Sequence, residues 1–393
     1  MDVFRCYNAK FNCSYLPVCV AEGDVTAREY RLDQKDLRIL TAIGRLGGKA
    51  STQELSESLG DIPPRTIRYR MKKLKEAKIL SRRIVMTHER RMGLGESILV
   101  MQSTPRGSAV LPGLFAKLDP LYWYSPTYGS FGGFYVHCMH SLASPRTGRR
   151  ILEAFQKNDL IEDFFIFDIT DYEYRAEDLT FYVPGEGWNY DWDSWRERIE
   201  KNAKGGFPSE AKVSEVHPIV EFDGDDIRII KLLYGNGEIT QKEIADELGI
   251  SEAQVNKRIH RLEDDGIVKG FRTIVYLPES AVDFTLFFEV GEGKEGLLSS
   301  FYEIPIFGTV MLESESRFGY RAYFPAGDFR SFLRGFDQMR PHLKWFHFQT
   351  VHHPRNLTKS LHPFDMFDEA KDRWETPASK YLRRISEILE DLE

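Results

Sequence analysis

Cysteine is scarce: four in 393 residues, at positions 6, 13, 19 and 138. So few thiols in so long a chain cannot make a disulfide scaffold, so the core must be apolar packing and a reducing, cytoplasmic setting is expected. Cys6, Cys13 and Cys19 lack the close CxxC pairing of a structural zinc site, so no metal is expected and ordinary thiols are the reading. No apolar run is long enough to span a bilayer. The opening MDVFRCYNAK also lacks the charged and apolar regions of a signal peptide, so neither membrane nor export is expected. Strand–GxGxxG–helix and Walker patterns are missing too, and Gly129, Gly132 and Gly133 read as a turn. A general excess of basic residues is absent: the net charge is −7, with 29% of residues charged and 42% hydrophobic. A uniformly basic nucleic-acid coat is thereby excluded, and any such contact must come from a local patch.

What the chain does contain is internal similarity. Asp36-Leu-Arg-Ile-Leu-Thr-Ala-Ile43 is echoed by Asp226-Ile-Arg-Ile-Ile-Lys-Leu-Leu233, and Ser51–Gly60 by Thr240–Gly249. Phe131-Gly132 is matched by Phe318-Gly319, and Leu179-Thr180 before Trp195 by Leu357-Thr358 before Trp374. The recurring offset of roughly 190 residues is too long for a solenoid and reads as a duplicated domain pair.

Each copy opens with three short helices. Leu37, Leu40, Ile43 and Leu46 recur at helical spacing before Gly47-Gly48. Ser51-Thr-Gln-Glu54 is a capping box, and Pro63-Pro64 suits the first turn of a third helix that buries Ile67, Met71 and Leu74. Three such helices make a helix-turn-helix, and Ile79–Thr87 alternates like a strand, read as a wing. In the second copy, Thr240–Glu243 and Ser251–Gln254 are capping boxes, and Val255, Ile259 and Leu262 form the buried face. After each helical unit, strand and helix signals follow in β-α-β-β-α-β order, a ferredoxin-like arrangement.

The stretches Leu55–Gly60 with Arg65–Leu74, and Ile244–Ser251 with Val255–Val268, resemble the leucine-responsive regulator/AsnC family. The resemblance implies an α+β fold: two winged helix-turn-helix domains, each followed by a ferredoxin-like α/β sandwich for oligomerisation and small-molecule sensing. It implies a transcription regulator of double-stranded DNA, with no catalytic residues and no cofactor. The expected division is 1–31 extension, 32–92 first helix-turn-helix, 93–205 first ferredoxin-like domain with a Trp-rich tail and 206–222 linker. Then come 223–278 second helix-turn-helix, 279–354 second ferredoxin-like domain and 355–393 helical tail. A fused pair could form the family's dimer within one chain, or two such chains could pair.

Charge separates the copies. Residues 33–91 hold fifteen Lys/Arg against seven Asp/Glu, whereas 223–276 hold eight against eleven. Cation–phosphate contacts dominate DNA affinity, so the first copy is expected to bind, with helix 63–77 in the major groove. Arg65, Thr66, Arg68 and Tyr69 are placed to face bases, and Lys72, Lys73, Lys75, Arg82 and Arg83 to face phosphate. The second copy offers Gln254, Asn256, Lys257, Arg258 and Arg261 as weaker equivalents.

Other residues attract alternative readings. Tyr124, Tyr128 and Phe131 lie in a dense aromatic run that could line a ligand pocket, though sheet packing is the simpler account. His137 and His140, three apart on a strand, should face opposite sides and form no site. An enzyme resembling the siroheme decarboxylases would need histidine and arginine to converge, and here they scatter along the sequence. An adaptor using its helix-turn-helix units for protein contacts is the third reading. The stripe Tyr381, Leu382, Ile385, Ile388, Leu389 and Leu392 is expected to dock on the second copy or on a partner.

Overall fold

The computed structural model describes residues 30–208, 218–277, 281–352 and 363–391. The N-terminal cysteines and most of the expected linker lie outside these residues.

The first helical unit comprises α1 (Gln34–Leu46), α2 (Thr52–Leu59) and α3 (Pro64–Glu76). Asp33 caps α1 in a reciprocal box with Asp36, and Ser51 caps α2 with Glu54. Leu37, Leu40, Ile43, Leu55, Ile62, Ile67 and Leu74 close over one another as its core. Strand β1 (Leu80–Thr87) follows. The chain continues through β2 (Leu94–Ser103), α4 (Pro105–Phe115), β3 (Leu121–Gly129), β4 (Gly133–Ser141), α5 (Thr147–Lys157) and β5 (Ile161–Ile169). Next come β6 (Asp171–Arg175), the small ladder of β7 (Tyr182–Val183) and β8 (Gly187–Trp188), and α6 (Trp192–Asn202).

The second half follows a similar order, with no strand equivalent to β6 among its described residues. Helices α7 (Gly224–Gly235), α8 (Gln241–Leu248) and α9 (Glu252–Asp264) precede β9 (Val268–Val275). Then follow β10 (Ala281–Val290), α10 (Ser299–Tyr302), β11 (Gly308–Leu312), β12 (Arg317–Pro325), α11 (Ala326–Met339) and β13 (Leu343–Val351). The ladder of β14 (Phe367–Asp368) and β15 (Arg373–Trp374) leads to α12 (Ala378–Glu390).

Three arrangements join the halves. First, β1 does not fold back as a wing within its own unit. It pairs antiparallel with β9 from Leu80↔Val275 to Thr87↔Val268, so the two helical units share one ribbon. Each strand presents an unsatisfied edge, and its equivalent in the other half is the partner that satisfies it.

Second, the large strands join in the order β5-β2-β4-β3-β13-β10-β12-β11-β6. β6 continues directly from β5 but pairs with β11, so two four-stranded sheets are linked at both ends and face each other. Phe287 from one sheet meets Phe167 and Phe165 of the other at 5.0 and 5.3 Å between ring centres. At the other seam, β3 meets β13 where Gly129 lies so close to the Phe348 carbonyl that any Cβ would collide with it, at 2.0 Å.

Third, the tail helices are exchanged. Helix α6 leaves the first half and packs on the second, with Trp195 stacked on Phe332 and seated over Gly335. Helix α12 packs its Tyr381, Ile385, Ile388 and Leu389 on the first half, beside Ile151, Leu152 and Phe155. Docking of this stripe on the second copy is therefore corrected: the apolar face left open by α5 is the one it fills.

Candidate nucleic-acid interface

Helix α3 presents its N-terminal half to solvent because Ile67 and Leu74 take its other side into the core. Arg65 and Arg68 are exposed, Tyr69 is 62% exposed, and Thr66 is half-buried. Among the described residues the side chains of Arg65, Thr66, Arg68 and Tyr69 make no hydrogen bond or ion pair. The helix begins at Pro63-Pro64 without a side-chain cap, so its first N–H groups are not taken up by a neighbouring side chain. Pro63 and Pro64 carry no N–H and the Thr66 and Ile67 N–H groups donate to the Pro63 carbonyl, so the positive end of the helix dipole is what favours phosphate here.

Further along, the lysines have acidic neighbours. Lys72 and Lys73 lie 3.9 and 2.9 Å from Glu76, and Lys75 reaches across to Glu238 of the second unit at 2.7 Å. Arg82 and Arg83 sit on the shared β1–β9 ribbon, both half-buried, where a free wing tip was expected. Arg70 turns inward to Asp33 and Asp36 at 2.8 Å, anchoring α3 to the start of α1.

Helix α9 has the same buried pattern, Val255, Ile259 and Leu262, and a different outer face. Ser251 and Gln254 close a capping box. Asn256 accepts from Gln241 at 2.9 Å. Arg258 binds Asp223 and Asp226 at 2.9 Å and Asp225 at 3.3 Å, and Arg261 pairs with Asp226. Asp226 is fully buried, and burial pushes its carboxyl up against the pull of these partners. Of the five residues expected to read DNA here, Lys257 alone is exposed without a hydrogen bond or ion pair among the described residues.

The aromatic residues expected to line a pocket do not converge. Tyr124 enters the core beneath α4 and α5 and approaches the Pro112 carbonyl at 3.4 Å. Tyr128 is 62% exposed, and Phe131 packs on His347. Sheet packing, the simpler account, fits Tyr124 and Phe131. Histidine and arginine, scattered in sequence, do come together: His137 and Arg321 both point into the space between the sheets. His137 bonds Glu96 through Nδ1 at 2.5 Å, and Arg321 bonds Asp283. His137 and His140, expected on opposite sides of a strand, are both buried. Period-two alternation shows a residue's side of a sheet, but not that a second sheet covers it.

Residues 225–269 match a family described as winged helix-turn-helix DNA-binding. The leucine-responsive regulatory protein of Rhizobium meliloti is 33% identical over 72 residues, 18% of this chain and 46% of that protein. The regulator Ptr1 of Methanocaldococcus jannaschii is 42% identical over 53 residues, 14% of this chain and 36% of that protein. Over these short stretches the chain is similar to helix-turn-helix regulators of the Lrp/AsnC type. It spans less than half the length of these curated relatives. Among solved structures, AsnC of E. coli aligns with 36% of this chain and 94% of its own at 21% identity and a TM-score of 0.27. The siroheme decarboxylase NirDL aligns with 91% of this chain and 99% of its own at 12% identity and a TM-score of 0.47.

Proposed function

We propose that this chain is a sequence-specific regulator of transcription that binds double-stranded DNA through α3, and that it acts as a binding protein with no catalytic step. In this reading its two halves are fused copies of one unit, a helix-turn-helix followed by a ferredoxin-like domain, and the family's pairing is made inside a single chain. The observation that carries it is the uncommitted, exposed group Arg65, Arg68 and Tyr69 on an uncapped recognition helix. An arginine at this place can bond the O6 and N7 of guanine, while Lys72, Lys73 and Lys75 neutralise backbone phosphate. The Lrp/AsnC-type relatives, several of them named as transcriptional regulators, support the reading.

Selection of duplexes from a random pool by the full chain, read at several salt concentrations, tests it. Enrichment of a discrete motif, with affinity falling as salt rises, is the expected result. Binding that ignores both sequence and salt contradicts it.

A further inference from the structure

The space between the two sheets holds a cluster that DNA binding does not use. Glu96 on β2 and His137 on β4 share a 2.5 Å hydrogen bond, and the Tyr122 hydroxyl donates to the same Glu96 oxygen at 2.6 Å. Asp283 on β10 and Arg321 on β12 form a two-fold bond at 3.0 and 2.6 Å. The two pairs occupy equivalent places. His137 stands opposite Ile98, two residues beyond Glu96, and Arg321 opposite Thr285, two residues beyond Asp283. The Arg321 guanidinium reaches across to Trp123 and Tyr135 of the facing sheet, 5.4 and 5.5 Å from their ring centres.

Such burial is costly. Each ion taken from water loses several kcal/mol of solvation, and apolar residues of like volume often serve stability as well. The neighbouring inward positions are in fact apolar: Ile98, Val100, Phe167 and Phe287. Buried atoms of the cluster without a well-aligned hydrogen bond among the described residues include Glu96 Oε2, the Tyr135 and Thr285 hydroxyls, which lie within reach of each other, and Arg321 Nη1. The last three can all donate. Thr285 and Arg321 are cross-strand neighbours, and the Tyr135 ring lies against that guanidinium from the opposite sheet.

We propose that this cluster binds a small aromatic acid carrying a hydroxyl group. Its carboxylate takes the donors of Arg321, Tyr135 and Thr285, its hydroxyl donates to Glu96 Oε2, and its ring lies against Trp123. The nearest seam is β3–β13, where Gln349, the cross-strand neighbour of Thr285, is one of three β13 residues paired to β3. The groups around His137 are Glu96, Tyr122, Trp123, Tyr135, Asp283 and Arg321. Burial holds its imidazole below the ordinary value, against the pull of Glu96. An entering carboxylate adds negative charge beside it, so binding draws a proton onto His137 and tightens as pH falls. The site stands independently of the DNA reading.

Titration of the full chain by calorimetry with benzoate, 4-hydroxybenzoate and 4-hydroxyphenylacetate tests the site. The hydroxylated acids should bind, more tightly at pH 6 than at pH 8, and benzoate about tenfold more weakly for want of one hydrogen bond to a charged group. Tyr135→Phe and Thr285→Val should each weaken binding by about tenfold on the same ground. Both should shift the melting temperature by no more than a few degrees, since each removes from the fold only the contact between the two hydroxyls. Failure of all three acids to bind at millimolar concentration overturns the proposal. So does binding that both variants leave intact, or loss of binding that merely follows a fall in melting temperature.

Discussion

Helices α3 and α9 are alike inside and unlike outside. Both run thirteen residues, both bury an aliphatic stripe, and both turn arginine onto the acidic start of the first helix of the unit, Arg70 in α3 and Arg258 with Arg261 in α9. Their solvent faces then diverge. Arg65, Arg68 and Lys75 of α3 stand where α9 has Ala253, Asn256 and Glu263. The cap differs as well, a proline start against a Ser251–Gln254 box. The shared contacts hold the helix in place, and the unshared ones decide what it can touch. Similarity of the inner face is therefore evidence about fold, and only the outer face bears on DNA.

The bridges between the units make the same point. Lys49 bonds Glu263 and Lys75 bonds Glu238, each at 2.7 Å. Lys49 and Glu238 occupy equivalent positions in the two units, as do Lys75 and Glu263, so the charges are reversed between the units. Two first units brought together would set Lys49 against Lys75, and two second units would set Glu238 against Glu263. Like charges so placed repel, which favours pairing of a first unit with a second unit, as seen here.

The comparison can be broken in order of expected effect. Arg65→Ala with Arg68→Ala should remove about 1–3 kcal/mol of discrimination per lost base contact and relax the selected motif. Asn256→Ala with Lys257→Ala should change binding only within a few-fold; equal losses in both pairs would erase the distinction between the helices. Arg258→Ala should act on the fold rather than on DNA, because it strips buried Asp226 of a partner. A loss of about 3 kcal/mol in chemical denaturation is expected, as for one member of a buried pair, and unchanged stability would show that Arg261 suffices. Lys72→Ala with Lys73→Ala should weaken all sequences alike and lower the salt slope by about two.

Smaller effects should come from the bridges and from pH. Lys75→Glu should cost at most about 1 kcal/mol, as exposed pairs do, and Glu238→Lys in the same chain should recover it. Burial holds His137 and His140 below the ordinary imidazole value of 6.5. The unfolded chain therefore takes up protons first as pH falls below 6.5, and the fold loses stability through that window. Melting measured at pH 7.5 and 5.5 should show the decline, and His137→Gln should reduce it.

Much of this was legible in the sequence. Capping boxes at Ser51, Thr240 and Ser251 and the stripe Val255, Ile259, Leu262 marked the helices within a residue or two. Local hydrogen bonding and helical spacing leave local signatures. What the sequence could not give was partner choice. Ile79–Thr87 alternates as any strand does, and nothing in it says that its mate lies near residue 270. Asp171–Arg175 is too short to stand out as a strand, and it exists as one because β11 offers an open edge. The exchange of α6 and α12 was equally hidden, since an apolar stripe states only that it must be covered. The cluster at Glu96, His137, Asp283 and Arg321 was missed because four polar residues in four strands share no spacing. A signal was available: each interrupts the inward, apolar side of a strand that the alternation defines.

Hydrogen exchange of the full chain with and without a selected duplex tests the central claim most directly. Added protection concentrated in Pro64–Glu76, with Glu252–Asp264 unchanged, is the predicted result. Equal protection of both helices, or protection of α9 alone, would contradict it.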